Sequence, residues 1–375
     1  MNTNNSYERY HRQILLKGFG EEGQQKLLQA KVLVIGAGGL GCPALQYLTA
    51  AGVGTIGIVD DDVVALSNLH RQVLYSVNDI GLSKADTAAK VLSALNPDIS
   101  ITTYNERLTT ANALDIINAY DLIIDGTDNF ASRYMINDAC VLSGKPLVYG
   151  AISQYEGQVA VFNFKNDNND PVNYRDLFPE PPKDGEVLNC AEAGVLGILP
   201  GIIGTMMANE TIKLITGIGE SLINQLLTYN ALANQVYTLG LSSRKETRSL
   251  IPADEAAFKQ INYDWLCASP STSFEIDVER FTVLLQEDDT AVIDVREWNE
   301  KPVVDEFAFT QIPLSELQEK MTGIKENAVI FFCQSGKRSL QAAQLLFNTF
   351  GETKKVYSLQ GGLLQWNNRH VKKSV

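Results

Sequence analysis

Short runs of β-branched and other apolar residues alternate along this chain with longer stretches of helical periodicity. Val32–Ile35 reads as a strand buried on both faces, and Ala44–Ala51, just past a glycine-rich turn, carries an apolar helical pattern. A strand at Thr55–Val59 follows, then a helix opening at Gly81-Leu-Ser-Lys84 and running to about Leu95, where Pro97 stops it. Further strands are predicted at Ile99–Tyr104, Asp121–Asp125, Pro146–Tyr149 and Gly157–Phe162. This alternation predicts an α/β fold with a Rossmann-like, doubly wound, mostly parallel sheet.

The pattern then changes. Residues 165 to 187 are polar and rich in proline, which suits loops. Cys190 follows, and then a long apolar helix, Leu196–Ile215, with little charge, which reads as core or subunit interface. From residue 246 to 273 the chain is mixed and polar and reads as a linker with one short helix. Beyond it a smaller α/β unit is predicted: a helix at Val278–Gln286, strands at Ala291–Val295, Val329–Phe332 and Lys355–Leu359, and a helix at Ser339–Phe350. The expected organisation is therefore 1–245, a linker at 246–273, and 274–375. Residues 1 to 30 are polar with a helical tail, Glu22–Ala30, and Tyr7–Gln13 reads as a solvated helix face.

Composition narrows the classes. Hydrophobic residues at 45% and charged residues at 20% are those of an ordinary soluble globular protein. A net charge of −13 argues against nucleic-acid or anionic-membrane partners and permits local basic pockets. Five cysteines in 375 residues make no disulfide framework. The opening Met-Asn-Thr-Asn-Asn-Ser lacks a charged region and an apolar core, so no secretory signal is expected. No apolar run reaches the roughly 18 residues of a spanning helix. A reducing cytoplasm is the expected location.

Gly36-Ala-Gly38-Gly39-Leu-Gly41 directly follows the first strand, so backbone N–H groups and a helix N-terminus face the same point, a phosphate-binding arrangement. Asp60 ends the second strand, where an acid can bind ribose hydroxyls. Asn68 with Arg71, Lys84, and Asp128 at a strand end add two cations and a second carboxylate. A dehydrogenase needs only the glycine turn and Asp60. Two cations and a carboxylate suggest a triphosphate with Mg²⁺, because cations offset phosphate charge and a hard oxygen ligand holds the metal.

Three separated motifs, Gly36-Ala-Gly-Gly-Leu-Gly41, Ser67-Asn-Leu-His-Arg-Gln72 and Thr127-Asp-Asn129, resemble those of the ThiF/MoeB/HesA-type adenylyltransferases, which activate ubiquitin-like sulfur carriers in molybdopterin and thiamine synthesis and are related to ubiquitin-activating enzymes. The resemblance covers about residues 7 to 240. It implies that Gly39 and its loop hold ATP phosphates and Asp60 the ribose. Ser67 lies in the second motif, whose Asn68 and Arg71, with Lys84, are implied to contact the triphosphate. Asp128 is implied to ligate Mg²⁺, with Asn129 beside the nucleotide. Arg12 matches an arginine that reaches the partner subunit's ATP, which implies a homodimer. The implied reaction is adenylylation of a carrier's C-terminal glycine. Its carboxylate is already ionised and needs no general base, which suits a chain whose histidines are only His11, His70 and His370. Cys190 occupies the position of a cysteine that links to the carrier in some family members and is dispensable in others. The two Cys-x-x-Cys pairs that usually hold zinc in the family are missing: none stands near Tyr174-Arg-Asp-Leu-Phe178, and Cys267 is alone. Zinc needs four ligands, so none is expected.

In the smaller unit, Cys333-Gln-Ser-Gly-Lys-Arg338 precedes a helix, an arrangement that stabilises a thiolate or persulfide. With Asp294-Val-Arg-Glu297 before it and Gly361-Gly362 after it, the unit resembles a rhodanese domain, trimmed at Phe307–Pro313. Four residues separate Cys333 from Arg338, one fewer than a phosphatase loop needs to surround phosphate. The whole implies adenylylation of a small Gly-Gly-ended sulfur carrier, then sulfur transfer from a Cys333 persulfide charged by a donor protein or thiosulfate. An NAD-dependent dehydrogenase and a noncatalytic carrier-binding adaptor are the alternatives.

Overall fold

The computed structural model describes residues 3–165, 170–181, 194–263, 274–287 and 289–368. The chain forms two compact units, Met1–Ser269 and Pro270–Val375.

In the first unit, β1 (Lys31–Ile35), β2 (Thr55–Val59), β3 (Ser100–Tyr104), β4 (Leu122–Asp125) and β5 (Leu147–Ser153) are parallel. Beyond β5 lie the antiparallel β6 (Glu156–Phe162), β7 (Gln225–Asn230) and β8 (Gln235–Gly240), in the order 3-2-1-4-5-6-7-8. The doubly wound sheet is as expected. Strand alternation explains its two cores. Val32 and Val34 face one helical layer with Leu45, Leu48, Leu199 and Ile203. Leu33 and Ile35 face the other with Ile117, Tyr134 and Ile136. The first layer holds α1 (Thr3–Ile14), α2 (Gly20–Gln29), α3 (Gly41–Ala51), α4 (Lys84–Leu95) and the long α8 (Ile198–Thr216). The second holds α5 (Ala113–Asn118), α6 (Phe130–Ser143) and the short α7 (Tyr174–Leu177). The apolar α8 is a core helix: Leu199, Ile203 and Met207 are wholly buried, and Gly204 lets it close onto Leu40, whose carbonyl oxygen would lie 2.2 Å from an added Cβ.

The order reverses beside β1, between β2 on one side and β4 on the other. The carboxyl ends of these strands therefore open a crevice.

Residues 246 to 263, expected within a linker, are built into the first unit. A 3₁₀ turn and α9 (Glu255–Gln260) bring Phe258 and Tyr263 into the second core layer, and Tyr263 donates to Asp138 Oδ2 at 2.7 Å. Their polar neighbours conceal two apolar anchors.

The second unit is a five-stranded parallel sheet in the order β11-β10-β12-β13-β9, made of β9 (Glu275–Ile276), β10 (Thr290–Asp294), β11 (Thr310–Gln311), β12 (Ala328–Phe332) and β13 (Lys355–Leu359). Around it lie α10 (Val278–Leu284), α11 (Leu314–Lys320), α12 (Lys337–Phe350) and α13 (Gly362–Asn368). Val329 and Phe331 face one layer, and Ile330 and Phe332 the other with Phe281 and Trp366.

Candidate functional site

Gly36, Gly38, Gly39, Asp60, Arg71, Lys84, Asp128 and Asn129 line one cavity of about 370 Å³ at the crevice. The turn after β1 needs its glycines. Gly36 has φ +91, and an added Cβ would lie 2.9 Å from Gly126 O. Gly41 lies outside the cavity lining, yet a Cβ there would stand 1.9 Å from Gly36 O, so it closes the turn onto α3. The turn is pinned at Ala37, whose N–H donates to Asp60 Oδ2 at 2.8 Å and whose carbonyl accepts from Tyr75 Oη at 2.8 Å. Asp60 Oδ1 accepts from Asp62 N–H. Each carboxylate oxygen keeps lone-pair capacity toward the cavity. Burial pushes the Asp60 carboxyl above its usual range, with Lys84 opposing.

Lys84 is 5% exposed at the start of α4, and its Nζ meets the exposed Asp62 Oδ2 at 2.7 Å. The ammonium is held at the cavity wall by this carboxylate. Arg71 is held through its Nη1 to Ser67 O at 3.2 Å, and its backbone N–H donates to Asn68 O. Ser67 and Asn68 therefore shape the turn that presents Arg71 and are not part of the cavity lining. Asn129 caps α6, accepting from Ser132 N–H at 2.9 Å. Asp125 lies beneath the Thr127–Asn129 turn and accepts from Thr127 Oγ1 at 2.6 Å; burial raises its carboxyl, against Arg133.

Of the lining residues that carried no role in the motifs, three stand out. Gln72 is 4% exposed, and its Oε1 has no hydrogen-bond partner among the described residues. Arg133 lies over the Tyr149 ring at 5.7 Å and donates to Thr127 O. Asp62 is the third. Gln72 was legible in its motif. Arg133 sits in α6, a helix the pattern did not signal.

Arg12 is exposed and outside the cavity lining. Cys190 and Cys267 lie outside the described residues. The described Cys42, Cys140 and Cys333 are unpaired thiols, and burial pushes Cys42 to about 12. Where a zinc pair is usual in the family, hydrogen bonds fasten the chain. Asp176 Oδ2 accepts from Asn173, and Oδ1 accepts from Arg244 N–H and Thr247 Oγ1. The described side chains there include no thiolate, so this stretch does not fit zinc. Asp128 fits Mg²⁺ differently: among the described residues no group of three acidic, His or Cys side chains could hold a metal, but Mg²⁺ is commonly held by one or two carboxylates plus substrate phosphates.

In the second unit Cys333 follows β12 and is 1% exposed, its Sγ 3.6 Å from Ser339 Oγ. Gly336, with φ +87, turns the chain into α12. Gly362 packs against the loop: a Cβ would meet Cys333 O at 2.2 Å, and Leu363 N–H donates to that oxygen at 2.9 Å. Arg338 forms two parallel bonds to Glu300, which hold the Glu300 carboxyl down to about 2. Arg296 is buried in an ion pair with Asp294 at 2.7 Å.

A glycine turn with cations and carboxylates at the switch point of a doubly wound sheet, joined to a cysteine loop on a second parallel sheet, defines an anion-binding α/β protein carrying a thiol module. Residues 10–250 match the ThiF family and residues 277–369 the rhodanese-like domain, and the chain belongs to the ThiF family. It is 42% identical over 369 residues to MoeZ of Mycobacterium tuberculosis, a probable adenylyltransferase/sulfurtransferase, covering 96% of this chain and 92% of that protein. It is 49% identical over 268 residues to the sulfur carrier protein adenylyltransferase of Thermus thermophilus, covering 71% and 98%. The fold is similar to that of E. coli MccB, with a TM-score of 0.56 and 20% identity over 65% of this chain and 73% of that one. The chain is an adenylyltransferase with a sulfurtransferase domain, and the dehydrogenase and adaptor alternatives fall away. Among the described residues no helix is long and apolar enough to cross a membrane.

Proposed function

We propose that the first unit uses ATP to adenylylate the C-terminal glycine of a small ubiquitin-like sulfur carrier, and that Cys333 then delivers sulfur to it, in a pathway of the molybdopterin or thiamine type. The convergence of the glycine turn, Arg71, Lys84 and Asp128 on one cavity carries this reading. A carboxylate is a poor nucleophile toward a polyanion, so charge neutralisation and positioning dominate. Arg71 and Lys84 offset the phosphate charge, Lys84 leaving Asp62 to do so. Asp60 offers its remaining lone pairs to the ribose. Asp128 would hold Mg²⁺, which supplies further neutralisation. The carrier carboxylate attacks the α-phosphorus, the bond to the β-phosphate oxygen breaks, and pyrophosphate leaves.

The terminal sulfur of a Cys333 persulfide then attacks the acyl carbon and AMP leaves, forming an acyl disulfide. A second thiolate attacks Cys333 Sγ and releases the carrier thiocarboxylate, and two further thiols, or one dithiol, reduce the resulting disulfide and are themselves oxidised to a disulfide. Cys190 is the candidate second thiolate. Arg12, exposed at the end of α1, belongs to the site of the other subunit of a homodimer.

Pyrophosphate exchange into ATP tests the first step. Exchange requires a Gly-Gly-ended carrier and Mg²⁺, and Arg71→Ala lowers it by at least 100-fold. Exchange that ignores the carrier would refute the reading.

A further inference from the structure

Cations near the Cys333 loop are expected to attract anionic sulfur donors, yet two of them are already neutralised. Arg296 has a side chain 4% exposed, is bound to Asp294, and donates its remaining Nη1 to Pro302 O at 2.8 Å. Arg338, at the start of α12 five residues past Cys333, is clamped by Glu300 through both terminal nitrogens. Glu300 is itself fixed, because its Oε1 accepts the Glu297 N–H at 2.9 Å. The clamp is a planar two-bond pair, the strong form of a guanidinium–carboxylate contact. The Arg338–Glu300 pair therefore has net charge zero and stands beside a second carboxylate, Glu297, which leaves the exposed Lys337 as the loop's other cation.

Resting on the sulfurtransferase reading of this loop, we infer that Glu300 is a specificity-determining residue that turns Cys333 away from dianionic thiosulfate and toward persulfide donors. Thiosulfate presents a sulfonate that needs free N–H donors and positive potential. Clamped Arg338 offers little of either, and breaking the clamp to bind a sulfonate would leave Glu300 beside the dianion. A persulfide carries one charge on its terminal sulfur, which the loop amides and the start of the 14-residue α12 can accommodate without Arg338. In the transfer, the Cys333 thiolate attacks the sulfane sulfur of the persulfide. A new S–S bond forms, the donor S–S bond breaks, and its electron pair leaves on the donor thiolate. The same attack on thiosulfate expels sulfite.

The test uses the full chain with two donors, cysteine persulfide and thiosulfate, and reads sulfur loaded onto Cys333. The unaltered protein favours cysteine persulfide by at least tenfold in kcat/KM. Glu300→Gln raises kcat/KM for thiosulfate about tenfold through a lower KM and leaves persulfide use within about twofold. The double variant Glu300→Gln, Arg338→Ala loses that gain, tracing it to the released guanidinium. Thiosulfate as the better donor of the unaltered protein would overturn the inference even if Glu300→Gln does not fold, and so would a Glu300→Gln protein with unchanged thiosulfate KM. Loading that survives Cys333→Ala, or no loading from either donor, would instead overturn the sulfurtransferase reading beneath it.

Discussion

At the scale of single residues, the crevice cavity depends on what is absent as much as on what is present. A methyl group at position 41 would sit 1.9 Å from Gly36 O, far inside van der Waals contact. Gly41→Ala is expected to cost about 3 kcal/mol in stability, the upper range of overpacking, and to raise the KM for ATP at least tenfold, as read by chemical denaturation and pyrophosphate exchange. Gln72 carries the opposite signal, a buried amide oxygen with no described partner at the wall of a polar cavity. The glycines, Asp60, Lys84 and Asp128 were legible because each sits near a strand end or helix start that the pattern also revealed, and Arg71 was legible through the Ser67–Gln72 motif. Asp62 and Arg133 were not. Three successive acids look alike in sequence, and only the fold shows that Lys84 meets the third.

At the scale of elements, the least expected finding is how α6, α7 and the stretch to Tyr263 are joined. Asp138 in α6 is wholly buried and accepts from Arg175 Nε at 2.8 Å, Arg175 Nη2 at 2.7 Å and Tyr263 Oη at 2.7 Å. Removing one partner of such a pair strands the other charge. Asp138→Ala is therefore expected to cost about 3–5 kcal/mol in urea unfolding. Proteolysis should then cut first between residues 246 and 263. Strands β1–β6, β10, β12 and β13 and helices α3, α4, α8 and α12 were read correctly because their apolar periods are strong. Helices α5 and α6 and the β7–β8 hairpin mix polar and apolar residues, so their assignment depends on neighbours rather than period.

At the scale of the whole molecule, two units with separate cores predict two separable losses of structure. The Glu300 carboxyl is held down to about 2 by Arg338, from an ordinary value of 4.5. A depressed carboxyl contributes stability that is present above its unfolded value and is lost as pH falls through the folded one. Between pH 4.5 and about 2 the second unit should lose that contribution. Unfolding followed at Trp298 and Trp366 should be less acid-sensitive in Glu300→Gln over this range.

By itself the sequence determined that the chain is a doubly wound α/β protein with a phosphate-type glycine turn and a second unit built around Cys333, because those features are local: apolar period, turn chemistry and a helix start. The tertiary structure alone decided which charges meet. Lys84 with Asp62, Arg338 with Glu300, and Arg175 with Asp138 and Tyr263 are contacts between segments distant in sequence, and electrostatic pairing depends on separation in space, which periodicity does not encode.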